Sequence, residues 1–180
     1  MTLRFLALSA SALIVAACGH TPVSYEETSL AAARAADNVS TPGTQEGWDA
    51  GNRAYLDWNG ARRGWTTTES GLQYRRVGKA HPDAPQPSAT DTVKVHYRGT
   101  FIDGREFDSS YSRNEPASFP LNRVIKGWTE GVALMHVGET FEFVIPSDLA
   151  YGSRWVGGGE LPPNSTLRFT VELLEVNPAG

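Results

Sequence analysis

Three stretches of the chain alternate apolar and polar residues with a period of two, the repeat of a strand with one buried face. In Val93–Gly99, Val93, Val95 and Tyr97 fall on one side and Lys94, His96 and Arg98 on the other. Phe141, Phe143 and Ile145 alternate with Thr140, Glu142 and Val144, and Leu167, Phe169, Val171 and Leu173 alternate with Arg168, Thr170 and Glu172. Leu72–Val77 reads as an earlier strand, Asp103-Gly104 as a hairpin turn leading into Phe107–Ser110, and Ser112–Pro116 as a polar loop. Pro82, Pro85 and Pro87 exclude a central strand from Gly78–Ser88. One stretch among these has the helical period instead. Val124–Met135 places Trp128, Val132 and Met135 at i, i+4 and i+7, with Lys126 and Glu130 off that stripe and Asn122 as the expected N-terminal cap. A helix of about a dozen residues is marginal in water, so the strands must cover it. The pattern predicts an α+β fold, an antiparallel sheet curled over one short helix, with an indole pointing into the space between.

The segments ahead of this unit have different patterns. Trp48, Tyr55 and Trp58, with Arg53, Asp57 and Arg62 between them, predict a short amphipathic helix within 45–66, expected to pack on the domain. Thr66-Thr67-Thr68 ends it, because consecutive β-branched residues favour extended chain. Residues 18–44 are rich in Ala, Ser, Thr and Pro, with Leu30–Ala36 as the one helix-prone island, and read as a flexible tether. Residues 1–17 hold one cation, Arg4, followed by an apolar run too short to span a bilayer, the pattern of a secretory leader. Val15-Ala16-Ala17-Cys18 resembles a bacterial lipobox, which implies cleavage before Cys18 and acylation of its thiol. Cys18 is the single cysteine among 180 residues, so an oxidising compartment offers it no intramolecular partner. Gly19 after that cysteine points to the outer rather than the inner membrane. The alternative is an ordinary cleavable leader with an incidental cysteine.

Charge narrows the function. The net charge is −4, and removal of residues 1–17 with Arg4 leaves −5, which makes phosphate backbones poor partners and excludes a nucleic-acid role. The usual catalytic constellations are also missing. His20, His81, His96 and His136 show no helical metal spacing, so neither a metal nor a cofactor is expected. The sequence has no G-x-S-x-G elbow and no phosphate loop. An enzyme of this sequence has to work without covalent or metal chemistry.

Five separated blocks resemble the FKBP-type peptidyl-prolyl isomerases in order and approximate spacing. They are Val95–Gly99, Asp103–Ser110, Val124–Val132, Ala150-Tyr151-Gly152 and Leu161–Leu167, with Thr67–Tyr74 similar to the segment that opens the domain in the bacterial Mip-like branch. The resemblance implies a half-barrel sheet around one helix over 67–180, isomerase activity on X-Pro bonds of proline-containing polypeptides, and a pocket that macrolide inhibitors can occupy. It makes Trp128 the platform for the proline ring, with Tyr97, Phe107, Val124, Ile125 and Phe169 as walls, Phe119 at the rim and Leu161 at a further apolar position. Tyr151 would donate its hydroxyl to one substrate carbonyl and the backbone N–H of Ile125 would bind a second. Asp108 would stand beside Tyr97 at the pocket edge, orienting neighbours or acting on the strained amide; an Asx-type turn is its alternative reading. Ala117 stands where many relatives carry an aromatic, which lowers one wall. The segment before Thr67 is too short for a dimerising arm, so a monomer anchored in the periplasm is expected. The competing reading is a chaperone-like module that grips proline-containing apolar segments, with Trp48, Trp58 and Trp155 as extra surface.

Overall fold

The computed structural model describes residues 44–178. The expected leader, the expected lipidation at Cys18 and the expected tether up to residue 43 fall outside the described residues. Thr44 accepts a hydrogen bond from the Gly47 amide and caps helix α1, Gln45–Gly60. Strands β1 (Thr66–Thr67), β2 (Gln73–Val77), β3 (Thr92–Thr100), β4 (Glu106–Ser109) and β5 (Ala117–Pro120) follow, then helix α2 (Lys126–Val132) and strands β6 (Thr140–Ile145) and β7 (Leu167–Val176). The fold is α+β. The seven strands form one sheet in the order β1-β2-β6-β7-β3-β4, with β5 also on β3, and every pairing is antiparallel. β3 shares one edge between two partners: Arg98–Thr100 pair with β4, and Thr92–Val95 pair with β5.

The concave face of the sheet closes on α2. Trp128, Val132 and Met135 are all buried there, packed with Leu72, Val95, Phe143, Ile145, Leu167 and Val171. The helix is shorter than its apolar pattern, seven residues from Lys126, and Met135 reaches the core from the turn beyond it. The expected cap at Asn122 is displaced. Asn122 sits in a separate helical turn, Leu121–Arg123, and Ile125 occupies the cap position with no side-chain hydrogen bond. Its ψ of 149° keeps the chain extended up to Lys126.

Two glycines set the distance between helix and sheet. A Cβ added at Gly127 would stand 2.4 Å from the Ile145 side chain, and one at Gly131 would stand 2.6 Å from the Phe143 ring. Glycine is a poor helix former, so contact with the sheet, rather than propensity, holds α2 in place.

The outer face of the sheet is covered as well. Val144, on the polar side of its strand by alternation, is buried with Tyr55 and Ile102, and Leu56, Trp58 and Trp65 pack around them. Helix α1 therefore supplies a third layer. Inside its contact, Asn59 Nδ2 donates to Gln73 Oε1 at 2.8 Å and Gln73 Nε2 donates to the Leu56 carbonyl at 2.9 Å, so the buried amides satisfy one another.

Glu139 is a charged side chain inside this frame, 1% exposed. Its carboxylate accepts from the backbone amides of His81 at 3.0 Å and His136 at 2.9 Å, and Arg76 lies 3.4 Å away. It fastens the proline-rich crossing to the turn before β6. Burial pushes its pKa up, but those amides and the nearby cations outweigh it and hold the carboxyl below its ordinary value of 4.5.

Two outcomes follow from this packing. Gly127→Ala would gain about 1 kcal/mol in an exposed helix, yet here it is expected to lose about 1–3 kcal/mol by overpacking, read from urea unfolding. Glu139→Gln is expected to lose about 1–3 kcal/mol at pH 7. Because the folded-state pKa is depressed, the stabilisation is present above the ordinary value of 4.5 and is lost as pH falls through the folded value, so the two unfolding curves converge in acid.

Candidate active site

Gly99 on β3 and the neighbouring edge strand β4 make room for the site. A Cβ at Gly99 would lie 2.7 Å from the Phe107 ring and 2.8 Å from the Phe169 ring. The β3–β4 ladder shifts register here, pairing Gly99 with Asp108 and Thr100 with Glu106 and leaving Phe107 as the extra residue. A bulge of this kind breaks strict alternation, and so the consecutive residues Phe107 and Asp108 both line one cavity.

That cavity has a volume of about 530 Å³. Trp128 is its floor, 4% exposed, and three rings stand nearly perpendicular to the indole: Tyr97 at 5.3 Å and 87°, Phe119 at 5.6 Å and 86°, and Phe169 at 5.3 Å and 84°. Edge-to-face contacts at these separations are favourable for aromatic quadrupoles. Phe107 meets Phe169 at 5.6 Å and 86°, closing the far wall. Val124, Ile125 and Ala150 add aliphatic surface.

Polar groups are few and differently engaged. Tyr97 donates its hydroxyl to Asp108 Oδ2 at 2.5 Å, while Arg113 donates from Nη1 to Asp108 Oδ1 and from Nη2 to the Tyr97 oxygen at 2.9 Å. Burial pushes the Asp108 pKa up, but the bonds from Tyr97 and Arg113 prevail and hold the carboxyl below its ordinary range. Tyr97 is raised, by burial first and then by its bond to Asp108. Tyr151 is raised as well, by burial and by the Asp108 charge, with Arg154 opposing, so its hydroxyl stays protonated near neutrality. Among the described residues neither the Tyr151 hydroxyl nor the Ile125 amide has a protein acceptor. Trp128 Nε1 is also buried without a partner.

The structure thus brings together nine of the residues singled out from the sequence: Tyr97, Phe107, Asp108, Phe119, Val124, Ile125, Trp128, Tyr151 and Phe169. Leu161 is not among the lining residues. It exchanges two backbone hydrogen bonds with Val156, at 3.2 and 3.1 Å, and its side chain joins the core beneath. Trp48 and Trp58 are packed against the domain, while Trp155 is 61% exposed. Sequence reasoning missed Arg113, because its contact depends on how the 110–116 loop turns back on β3. It also missed Arg123, Lys126, Ala150 and Arg154 on the lining. Among the described residues no three His, Cys, Asp or Glu side chains gather as a metal set.

Known proteins resemble this chain in sequence and fold. The model of the family described as FKBP-type peptidyl-prolyl cis-trans isomerase matches residues 84–174. The chain is 57% identical over 122 residues to the FKBP-type peptidyl-prolyl cis-trans isomerase FkpA of Aeromonas hydrophila, covering 68% of this chain and 44% of that protein. It is 44% identical over 127 residues to a protein of Legionella longbeachae named outer membrane protein MIP, covering 71% and 53%. The crystal structure of FkpA from Escherichia coli superposes with a TM-score of 0.67 at 44% identity, covering 86% of this chain and 72% of that one. The chain spans about half the length of the curated relatives it matches.

The Asp108 network gives a measurable expectation. Arg113→Ala removes one of the two side-chain donors that lower the Asp108 pKa, and Tyr97→Phe removes the other. Each substitution is expected to raise the Asp108 pKa, read by carboxyl-carbon NMR titration. An unchanged value in both variants would show that the network does not set it.

Proposed function

The chain belongs to the FKBP-type peptidyl-prolyl cis-trans isomerases, and we propose that it accelerates rotation about X-Pro bonds in polypeptides of the cell envelope. The observation that carries this reading is the boxed indole of Trp128 with two unengaged donors at its edge, Tyr151 and the Ile125 amide.

The barrier to be lowered is about 18–20 kcal/mol, the resonance lost when the amide twists. Uncatalysed X-Pro rotation takes tens of seconds or longer at room temperature. A planar amide is more dipolar than a twisted one, so a dry aromatic cavity disfavours the ground state more than the transition state. In this reading the proline ring rests on Trp128 between Tyr97, Phe107 and Phe169, with Phe119, Val124 and Ile125 beside it. The Tyr151 hydroxyl and the Ile125 amide hold the carbonyls on either side while the bond between them turns. Asp108, with both oxygens engaged, acts through Tyr97 by fixing that ring edge-on to the indole. Rotation needs no proton transfer, and each 1.36 kcal/mol of selective stabilisation gives about tenfold in rate.

The placement outside the cytoplasm rests on two features. One relative is named an outer membrane protein, and Val15-Ala16-Ala17-Cys18 has lipobox form. We read residues 1–17 as leader, Cys18 as the lipidated anchor, 18–44 as tether and 67–180 as the isomerase domain of a monomer facing the periplasm at the outer membrane. No described helix is long and apolar enough to cross a membrane. Macrolides would occupy the same cavity as the proline ring. Trp155, exposed on the loop after Tyr151, favours a second reading in which the domain grips apolar proline-containing segments as a chaperone.

An isomerisation assay on a proline peptide separates the two. Tyr151→Phe removes one neutral donor and is expected to lower kcat/KM about two- to tenfold. Trp128→Leu removes the platform and is expected to lower it about tenfold or more, with near-UV circular dichroism checking its fold. A wild type that suppresses aggregation yet shows no isomerisation would decide for the chaperone reading.

A further inference from the structure

The mouth of the cavity carries unpaired charge of one sign. Arg123, Lys126 and Arg154 line it together with the aromatic walls, and none of them takes part in an ion pair among the described residues. Arg154 donates through Nε to the Tyr151 carbonyl at 3.3 Å, which orients the guanidinium without neutralising it. The carboxylate on the lining, Asp108, is already matched by Arg113 and Tyr97. Glu130, on the same helix as Lys126, accepts from Ser70 at 2.6 Å and is not a lining residue. The whole chain has a net charge of −4, so a cationic mouth runs against its average and is a local property.

Cations at the edge of a low-dielectric cavity focus their field into it, and a carboxylate arriving there gains charge-assisted hydrogen bonds. Building on the isomerase reading, we propose that this site selects proline-containing segments that carry Asp or Glu within a few residues of the proline, received by Arg123, Lys126 and Arg154. The hydrophobic floor recognises the ring and the rim recognises the flanking charge. Segments with Lys or Arg in the same places meet three like charges and are disfavoured.

Peptides acetylated and amidated at their ends, identical except for Glu, Gln or Lys beside the X-Pro bond, test this without a terminal carboxylate. Binding is read from tryptophan fluorescence and turnover from the isomerisation rate. The expected order is Glu, Gln, Lys, with the Glu peptide preferred over the Lys peptide about three- to tenfold at low salt and the ratio falling toward one at about 0.5 M salt. The triple variant Arg123→Gln, Lys126→Gln, Arg154→Gln is expected to erase the ratio. The Gln peptide serves as reference within each protein, so a general loss of affinity cancels, and Lys126→Gln alone should reduce the ratio in part if the triple variant does not fold. Affinities independent of flanking charge in the wild type, or no binding, overturn the proposal. Charge-dependent binding without isomerisation of any peptide supports it and overturns the isomerase reading instead.

Discussion

The close approach of α2 to β6 is the constraint on which the rest of the molecule depends. Gly127 and Gly131 leave no space between helix backbone and sheet, since an added Cβ at either would come within 2.6 Å of Ile145 or Phe143. Trp128 lies beside Gly127 and takes its position from that contact. A helix of seven residues with two glycines among them would not persist alone. The concave sheet face, for its part, would be wet without the helix. Each stabilises the other, and the perpendicular box of rings forms only where they meet.

The wall of that box is braced from behind. Trp48 on α1 meets Phe101 edge-on at 5.8 Å, Phe101 meets Phe107 at 5.2 Å, and Phe107 faces the cavity. Trp48 Nε1 also donates to Ser165 Oγ at 3.1 Å, and Asn52 Oδ1 accepts from the Thr166 amide at 2.7 Å. Helix α1 therefore ties down both the Phe107 wall and the start of β7, which carries Phe169. An amphipathic segment ahead of the sheet is part of the scaffold of the site rather than a detached appendage.

Much of this was legible because alternation and helical period are set by which face is buried. Val93, Val95 and Tyr97 turn inward as their spacing requires, and so do Phe169, Val171 and Leu173. Val144 broke the pattern because a second layer covers the outer face, a tertiary fact that no strand period contains. The helix boundary slipped for a similar reason: apolar residues from Val124 to Met135 serve one core but only Lys126–Val132 are helical. The site was readable through its aromatic residues and motif blocks, whereas Leu161 was displaced by pairing with Val156, and Arg113 depended on a loop path with no periodic signal.

The state of Asp108 decides what kind of chemistry the cavity can host. Its side chain is 41% exposed, so burial raises its pKa only modestly against the bonds that lower it. Tyr97 and Arg113 each donate to one of its oxygens and hold its pKa below the ordinary value, and a carboxylate so held is a poor proton acceptor. The bond that stabilises it also locks the Tyr97 hydroxyl, and hence the ring plane, against the indole. The one carboxylate on the lining is thereby poorly suited to acid–base work, and the cavity offers shape, aromatic surface and donors without a protein acceptor, the Tyr151 hydroxyl and the Ile125 amide at its edge and Trp128 Nε1 in its floor. Those are the requirements of a bond rotation, in which no atom changes its covalent partner.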